Sequence, residues 1–298
     1  MPHPPNSSHV LLLLGLMAAA LAAYAVIVAP RRLRRIEIDV PVPGLHPAFE
    51  GYTIGVLSDL HHAWHPGSDQ IRRAVRLVMD ASPDLIALLG DYCVSFKYSP
   101  RASRVFYRPA MRSLRPLLRR LAAPDGVVGI LGNHDYYYDA PTVEEWLRSC
   151  GVRVLRNEHV EIERAGARLA VAGMDDVMEG QPDPMAGCAT LPRHDPRVVL
   201  CHNPDGVMKL SRKLRPVLVL SGHTHGGQIS LPWYGAPLRW ARVTGRKTAA
   251  GWVPNPVAPL FVSAGVGSQV PIRLGTTPDV VIVRLRGNES PKVRSTDC

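Results

Sequence analysis

Five apolar runs of this 298-residue chain each end on a cluster drawn from the same few polar residue types, and that regularity constrains the fold most. Residues 54–57 lead into Ser58-Asp59-Leu60-His61, and residues 85–89 into Gly90-Asp91. Residues 127–131 precede Gly132-Asn133-His134-Asp135, and residues 198–201 precede His202. The run 217–220 leads into Ser221-Gly222-His223-Thr224-His225-Gly226-Gly227. Short β-rich runs alternating with helix-like segments spell an α/β sheet with helices on its faces. In such a sheet ligands gather beyond the carboxyl ends of the strands, where these clusters fall. Strands are expected at 52–58, 85–89, 127–131, 198–201, 217–220 and 280–285, and helices at 69–80, 111–121, 142–150 and 204–213. Residues 160–172 alternate apolar and polar side chains around Ala165-Gly166, as an antiparallel hairpin does.

An Asp after a strand is commonly a turn or a helix cap, a Gly-Asn pair a turn, and a lone His a satisfied surface or core residue. Five strand ends repeating the pattern outweigh those separate readings and indicate a metal site. Carboxylate, imidazole and amide donors without a thiolate suit manganese, iron or zinc better than copper or calcium. The five cysteines form no CxxC pair and read as reduced structural thiols. Asp59, His61, Asp91, Asn133, His202, His223 and His225 are too many ligands for one tetrahedral ion. Two ions about 3.5–4 Å apart, bridged by one carboxylate, would use them all and clamp an in-line displacement at phosphorus. Gly90, Gly132 and Gly222 are expected to let the backbone turn sharply toward the metals.

The ordered set D-x-H, G-D, G-N-H-D, a lone H and G-H-T-H resembles the calcineurin-like metallophosphoesterase superfamily, from Tyr52 to Arg284. The longer strings C-H-N-P-D from Cys201, S-G-H-T-H-G-G-Q-I from Ser221 and P-I-R-L-G from Pro271 resemble its membrane-anchored YkuE/YaeI-like phosphodiesterases. The resemblance implies a four-layer α/β/β/α metallo-dependent phosphatase sandwich and a phosphodiester or pyrophosphate hydrolase. It implies Asp59, His61 and His225 on one ion, Asn133, His202 and His223 on the other, and Asp91 between them. His134 is implied as the catalytic residue over the leaving group. Asp135 is a candidate to fix the tautomer of His134, with a plain turn carboxylate as the alternative. Where the superfamily commonly has small residues, this chain has His62, Trp64 and His65, read as substrate-side candidates or as a loop packed on the domain.

Residues 10–29 are apolar and uncharged, long enough to cross a bilayer as a helix. The competing reading is a cleaved signal, which wants a basic segment in front. Here Arg31, Arg32, Arg34 and Arg35 follow the run, and no Lys or Arg precedes it. A single-pass anchor in the inner (cell) membrane with a cytoplasmic catalytic domain is therefore expected. The expected segments are a tail 1–9, anchor 10–29, basic juxtamembrane linker and first strand 30–50, phosphoesterase domain 51–286 and loose tail 287–298. Because every candidate ligand lies after residue 58, removal of residues 1–35 is expected to leave that domain active.

A net charge of +10 suits anionic partners. Arg101, Arg104, Arg108, Arg112, Arg115, Arg119 and Arg120 recur at helical spacing, although Pro109 and Pro116 argue for two short helices. The stripe is a solvated face or a face for anionic headgroups, with Phe106, Met111, Leu114 and Leu118 able to admit an acyl chain. A phosphorylated, lipid-linked substrate follows, and the resemblance extends to the LpxG-like UDP-diacylglucosamine pyrophosphatases of lipid A biosynthesis. The rivals are a nuclease of the same superfamily and an idle membrane adaptor. No aromatic-interleaved basic groove supports nucleic acid as a partner, and the complete ligand set opposes an idle fold.

Overall fold

The computed structural model describes residues 7–62, 67–188, 195–211, 214, 216–287 and 292–297. The N-terminal run forms α1 (Ser7–Ala23), extended by a π-helical turn (Tyr24–Val28) and a 3-10 turn (Ala29–Arg31). From Ser7 to Arg31 this helix is long and apolar enough to cross a membrane, and almost none of it is covered by the rest of the chain. Its last turns are the exception, because Ala25, Ala29 and Pro30 are buried against the domain.

Alternation of Ile36, Ile38 and Val40 makes β1 (Arg34–Pro41) a true sheet strand. β2 (Thr53–Leu57), β3 (Leu85–Leu88), β4 (Val127–Gly129) and the short β5 (Arg153–Val154) follow. β6 (Glu158–Arg164) and β7 (Ala167–Gly173) are the hairpin, turning at Ala165-Gly166. β8 (Arg197–Leu200), β9 (Leu218–Ser221), β10 (Gly251–Val253) and β11 (Leu260–Val262) complete a second sheet. β12 (Asp279–Arg286) and β13 (Lys292–Asp297) return to the first.

The sheets run β13-β1-β12-β2-β3-β4-β5 and β10-β11-β9-β8-β7-β6. Ile54, Val56, Leu85 and Ala87 meet Val198, Leu200, Leu218 and Leu220 in the core between them. The outer face of the first sheet is covered by α2 (Ser68–Met79), α3 (Pro100–Leu118) and α5 (Ala140–Ser149). The outer face of the second packs on Val207 and Leu210 from thin 3-10 structure. This is the α/β/β/α sandwich. Its fourth layer is slighter than expected, since among the described residues of 204–213 there is a 3-10 segment, Pro204–Lys209, in place of an α-helix, opened by Asn203 accepting the Asp205 N–H.

Three further expectations change. α3 is unbroken with Pro109 and Pro116 inside it, because both prolines face solvent while Tyr107, Ala110, Leu114 and Leu117 form a continuous buried stripe. That stripe also takes up Met111 and Leu118, so with Leu114 they are core residues and cannot receive an acyl chain. The first strand expected within 30–50 is β1, which lies inside the sheet, parallel to β12. The tail expected to be loose forms β13 over Lys292–Asp297, pairing antiparallel with β1 and closing an edge that would otherwise be open. Arg32 adds an ion pair to Asp297 at 2.7 Å.

Candidate metal centre

Strands β2, β3 and β4 are parallel in one sheet, as are β8, β9 and β11 in the other, so their carboxyl ends open on one rim. β2 delivers Asp59 and His61, β3 Asp91, β8 His202 and β9 His223 and His225, while Asn133 begins α4 (Asn133–Tyr138) beyond β4. Asp59, His61, Asp91, His223 and His225 all have left-handed backbones, with φ between 39° and 66°. Such conformations cost energy in non-glycine residues and cluster where function demands them.

The donor atoms form three overlapping groups, Asp59-His61-His225, His61-Asp91-His134 and Asp91-His202-His223, each within 4.8 Å. Asp91 Oδ2 lies 3.5 Å from His61 Nε2 and 3.2 Å from His202 Nε2. His225 Nε2 is 3.7 Å from Asp59 Oδ1. His202 Nδ1 donates to the Leu89 carbonyl at 2.7 Å and His225 Nδ1 to that of Gly267 at 3.1 Å, which leaves each Nε2 with a lone pair for a cation. Among the described residues, both ring nitrogens of His61, Nε2 of His202 and Oδ1 of Asn133 are buried without a hydrogen-bond partner. Buried polar atoms seldom stay unpaired, and divalent cations would satisfy this set.

The glycines beside the clusters act in two ways. Gly90 has φ 94° and needs its conformational freedom. Gly132 and Gly222 do not, because neither adopts a left-handed backbone. They are excluded from side chains by contact: a Cβ at Gly132 would collide with Asp91 and His202, and one at Gly222 with Ser58 and Asp59.

Asp135 does not bond His134. It accepts from the backbone N–H groups of Gly132 (2.8 Å), Asp91 (2.9 Å) and Tyr92 (3.1 Å) and from the Tyr107 hydroxyl, locking two ligand loops together. His134 instead donates from Nδ1 to the Ser95 carbonyl at 3.0 Å, and its backbone N–H reaches Asp91 Oδ1 at 2.8 Å. The Tyr137 ring stands edge-on to it, 5.0 Å between centroids. His62 turns away to Ser113 Oγ on α3 at 2.7 Å, so it packs on the domain. Trp64 and His65 lie outside the described residues.

Residues 52–227 match the profile of the calcineurin-like phosphoesterase family, over the stretch that supplies every one of these groups. The chain belongs to this family. The metallophosphoesterase YkuE of Bacillus subtilis is 29% identical over 281 residues, covering 91% of this chain and 94% of its own. Phosphodiesterase YaeI of Escherichia coli is 32% identical, covering 78% and 82%. A transmembrane protein with metallophosphoesterase domain from Danio rerio is 32% identical over 72% of this chain, which spans about half (49%) of that relative. The chain is accordingly a metal-dependent phosphoester hydrolase.

In this phosphoesterase, burial sets the charge state of the site. Burial lowers the His61 imidazole, aided by the His134 ring beside it, and takes His223 and His225 down to about 3. These rings are neutral near pH 7, as ligation requires. Burial also works against a charged His202, but the Asp91 carboxylate overrides it and raises His202 well above the usual imidazole range.

Arg273 escaped the sequence reading although it stands within P-I-R-L-G. Fully buried, it donates to the carbonyls of His225 (2.5 Å), Gly267 (2.6 Å) and Ala264 (2.9 Å), fixing the backbone of one ligand loop. A lone arginine between Ile272 and Leu274 was the available signal. Ser95 offered none, since its partner is reached only through the fold.

Proposed function

We propose that this phosphoesterase hydrolyses a phosphodiester or pyrophosphate bond with two divalent ions, manganese, iron or zinc, on a phosphorylated, lipid-linked substrate at the membrane. The observation that carries the reading is Asp91 Oδ2, a single carboxylate oxygen between the Nε2 atoms of His61 and His202. One ion would be held by Asp59, His61 and His225 and the other by Asn133, His202 and His223, with Asp91 shared. Two such ions supply Lewis-acid stabilisation of the phosphoryl oxygens and an acidified water.

The chain's own residues supply orientation and a proton. Ser58 Oγ and the His223 N–H bond the Asp59 carboxylate and hold it for ligation. The Asp91 Oδ1 bond to the His134 N–H ties the bridging carboxylate to the catalytic ring. With Nδ1 of His134 committed to Ser95, Nε2 is the atom that can protonate a departing oxygen.

Membrane anchoring by the Ser7–Arg31 helix, with the arginines after it on the cytoplasmic side of the inner membrane, would bring the site to lipid-borne substrates. UDP-diacylglucosamine of lipid A biosynthesis is one substrate of this chemistry. The purified manganese-loaded protein should be assayed on a phosphomonoester, a chromogenic phosphodiester, UDP-diacylglucosamine and DNA. Cleavage of the diester or the pyrophosphate is expected. Cleavage of DNA alone would make it a nuclease, and inertness on all four with two bound ions an adaptor.

A further inference from the structure

The loop that follows the metal-site histidines exposes an unusual amount of apolar surface. Within ten residues Leu231, Trp233, Tyr234, Leu238 and Trp240 are all exposed, Trp233 at 92%. Trp233 tops a turn closed by paired bonds between Leu231 and Gly235, and its φ is 64°, a left-handed conformation that a bulky residue rarely adopts. The fold thus holds an indole in a disfavoured conformation pointing at solvent. Exposed apolar clusters of this kind mark interaction surfaces.

The neighbourhood says what the surface meets. Leu274 and the start of the loop are bonded in both directions, Ser230 N–H to the Leu274 carbonyl at 2.7 Å and Leu274 N–H to that of Gln228 at 2.9 Å. The adjacent Arg273 N–H donates to the Ala25 carbonyl of the N-terminal helix at 2.9 Å, and Gln228 Nε2 to Val270, itself exposed. Ala25 lies inside the apolar helix, about 9 Å of helical rise before Arg31. The apolar side chains Val26, Ile27 and Val28 remain exposed beyond it. A surface bonded to Ala25 therefore sits at the depth where the helix leaves the hydrocarbon. Between Leu231 and Ala250 stand Arg239, Arg242, Arg246 and Lys247 and no acidic residue, with Arg246 over the Tyr234 ring at 4.2 Å. Trp and Tyr beside Arg and Lys are the side chains that settle at a membrane–water interface.

We propose that loop 231–240 docks into the interfacial zone of an anionic phospholipid bilayer, with Trp233 innermost, as a second contact beside the N-terminal helix. It rests on the anchoring proposed above and adds a fixed orientation. With the helix and the loop both engaged, the rim bearing His223 and His225 is held near the lipid surface instead of swinging on one tether.

The test uses the full chain reconstituted into vesicles of phosphatidylcholine and phosphatidylglycerol, the lipid brominated just below the headgroup. Of the five tryptophans only Trp233 and Trp240 lie in the loop, so the quenching that disappears when both are replaced reads the loop, apart from that of Trp64, Trp146 and Trp252. Wild-type fluorescence should be quenched, and Trp233→Phe combined with Trp240→Phe should lose most of that quenching. Protein that floats with the vesicles yet shows no quenching, or shows wild-type quenching in the double variant, overturns the docking and leaves the anchoring intact. Cross-links between copies through Trp233→Cys would assign the surface to a second chain and overturn it as well. Protein that does not float refutes the anchoring itself, and the docking with it.

Discussion

Asp91 carries two jobs in one side chain, since Oδ2 faces both His61 and His202 while Oδ1 receives the His134 N–H. Asp91→Asn keeps the shape and removes the charge that two cations would share. We expect turnover below about 1% of wild type and loss of bound metal, beyond the 10–100-fold that a lost outer partner typically causes. Elemental analysis beside a diester assay checks it, and near-normal turnover with two bound ions would remove the shared-carboxylate account. His134→Ala should keep both ions and slow the chemistry by about 10²–10⁴-fold, less for good leaving groups. Equal losses on an alkyl diester and a nitrophenyl diester would assign His134 to charge stabilisation, and metal loss would make it a ligand, as its place beside His61 and Asp91 allows. At this scale the sequence was legible where chemistry demands particular residue types. Asp59, His61, Asp91, His202, His223 and His225 could be found because a motif keeps them in order. The partners behind the site were not, because Ser95, Tyr107 and Gly267 reach His134, Asp135 and His225 through bonds that only the folded chain creates.

Elements were legible where one periodicity ran uninterrupted. β2, β3, β8 and β9 lie close to their expected places because continuous apolar runs have one solution in a buried sheet. α3 was misread as broken, since the prolines count only if the helix needs their missing N–H groups in the core, and both face solvent. β13 was read as a loose tail because its residues, all exposed, form no apolar run, yet it pairs along β1, the strand expected within 30–50. Their place also revises the expectation that residues 1–35 are dispensable. Leu33 is buried, Arg34 and Arg35 belong to β1, and the Ala25 and Pro30 carbonyls accept from Arg273 and Gln70. A chain starting at Ile36 should lose about 2–5 kcal/mol, the usual cost of deleting a buried leucine, relative to one starting at Tyr24. Equal denaturation midpoints for the two chains would show that the helix end is only a tether.

Over the whole molecule, two sheets bring the carboxyl ends of strands from both halves of the chain to one rim, and the apolar helix ends beside it. Convergence of that kind is written in the order of motifs but not in their spacing: Asp91 and His202 are far apart in sequence and 3.2 Å apart in space. The unpartnered imidazole nitrogens and the buried carboxylates make sense together only around cations. Titration of chelated, metal-free protein with manganese while following cleavage of a chromogenic phosphodiester tests that claim most directly. Activity should be absent without metal and rise to a plateau at two equivalents per chain. Full activity after chelation, or a plateau at one equivalent, would contradict the dinuclear site.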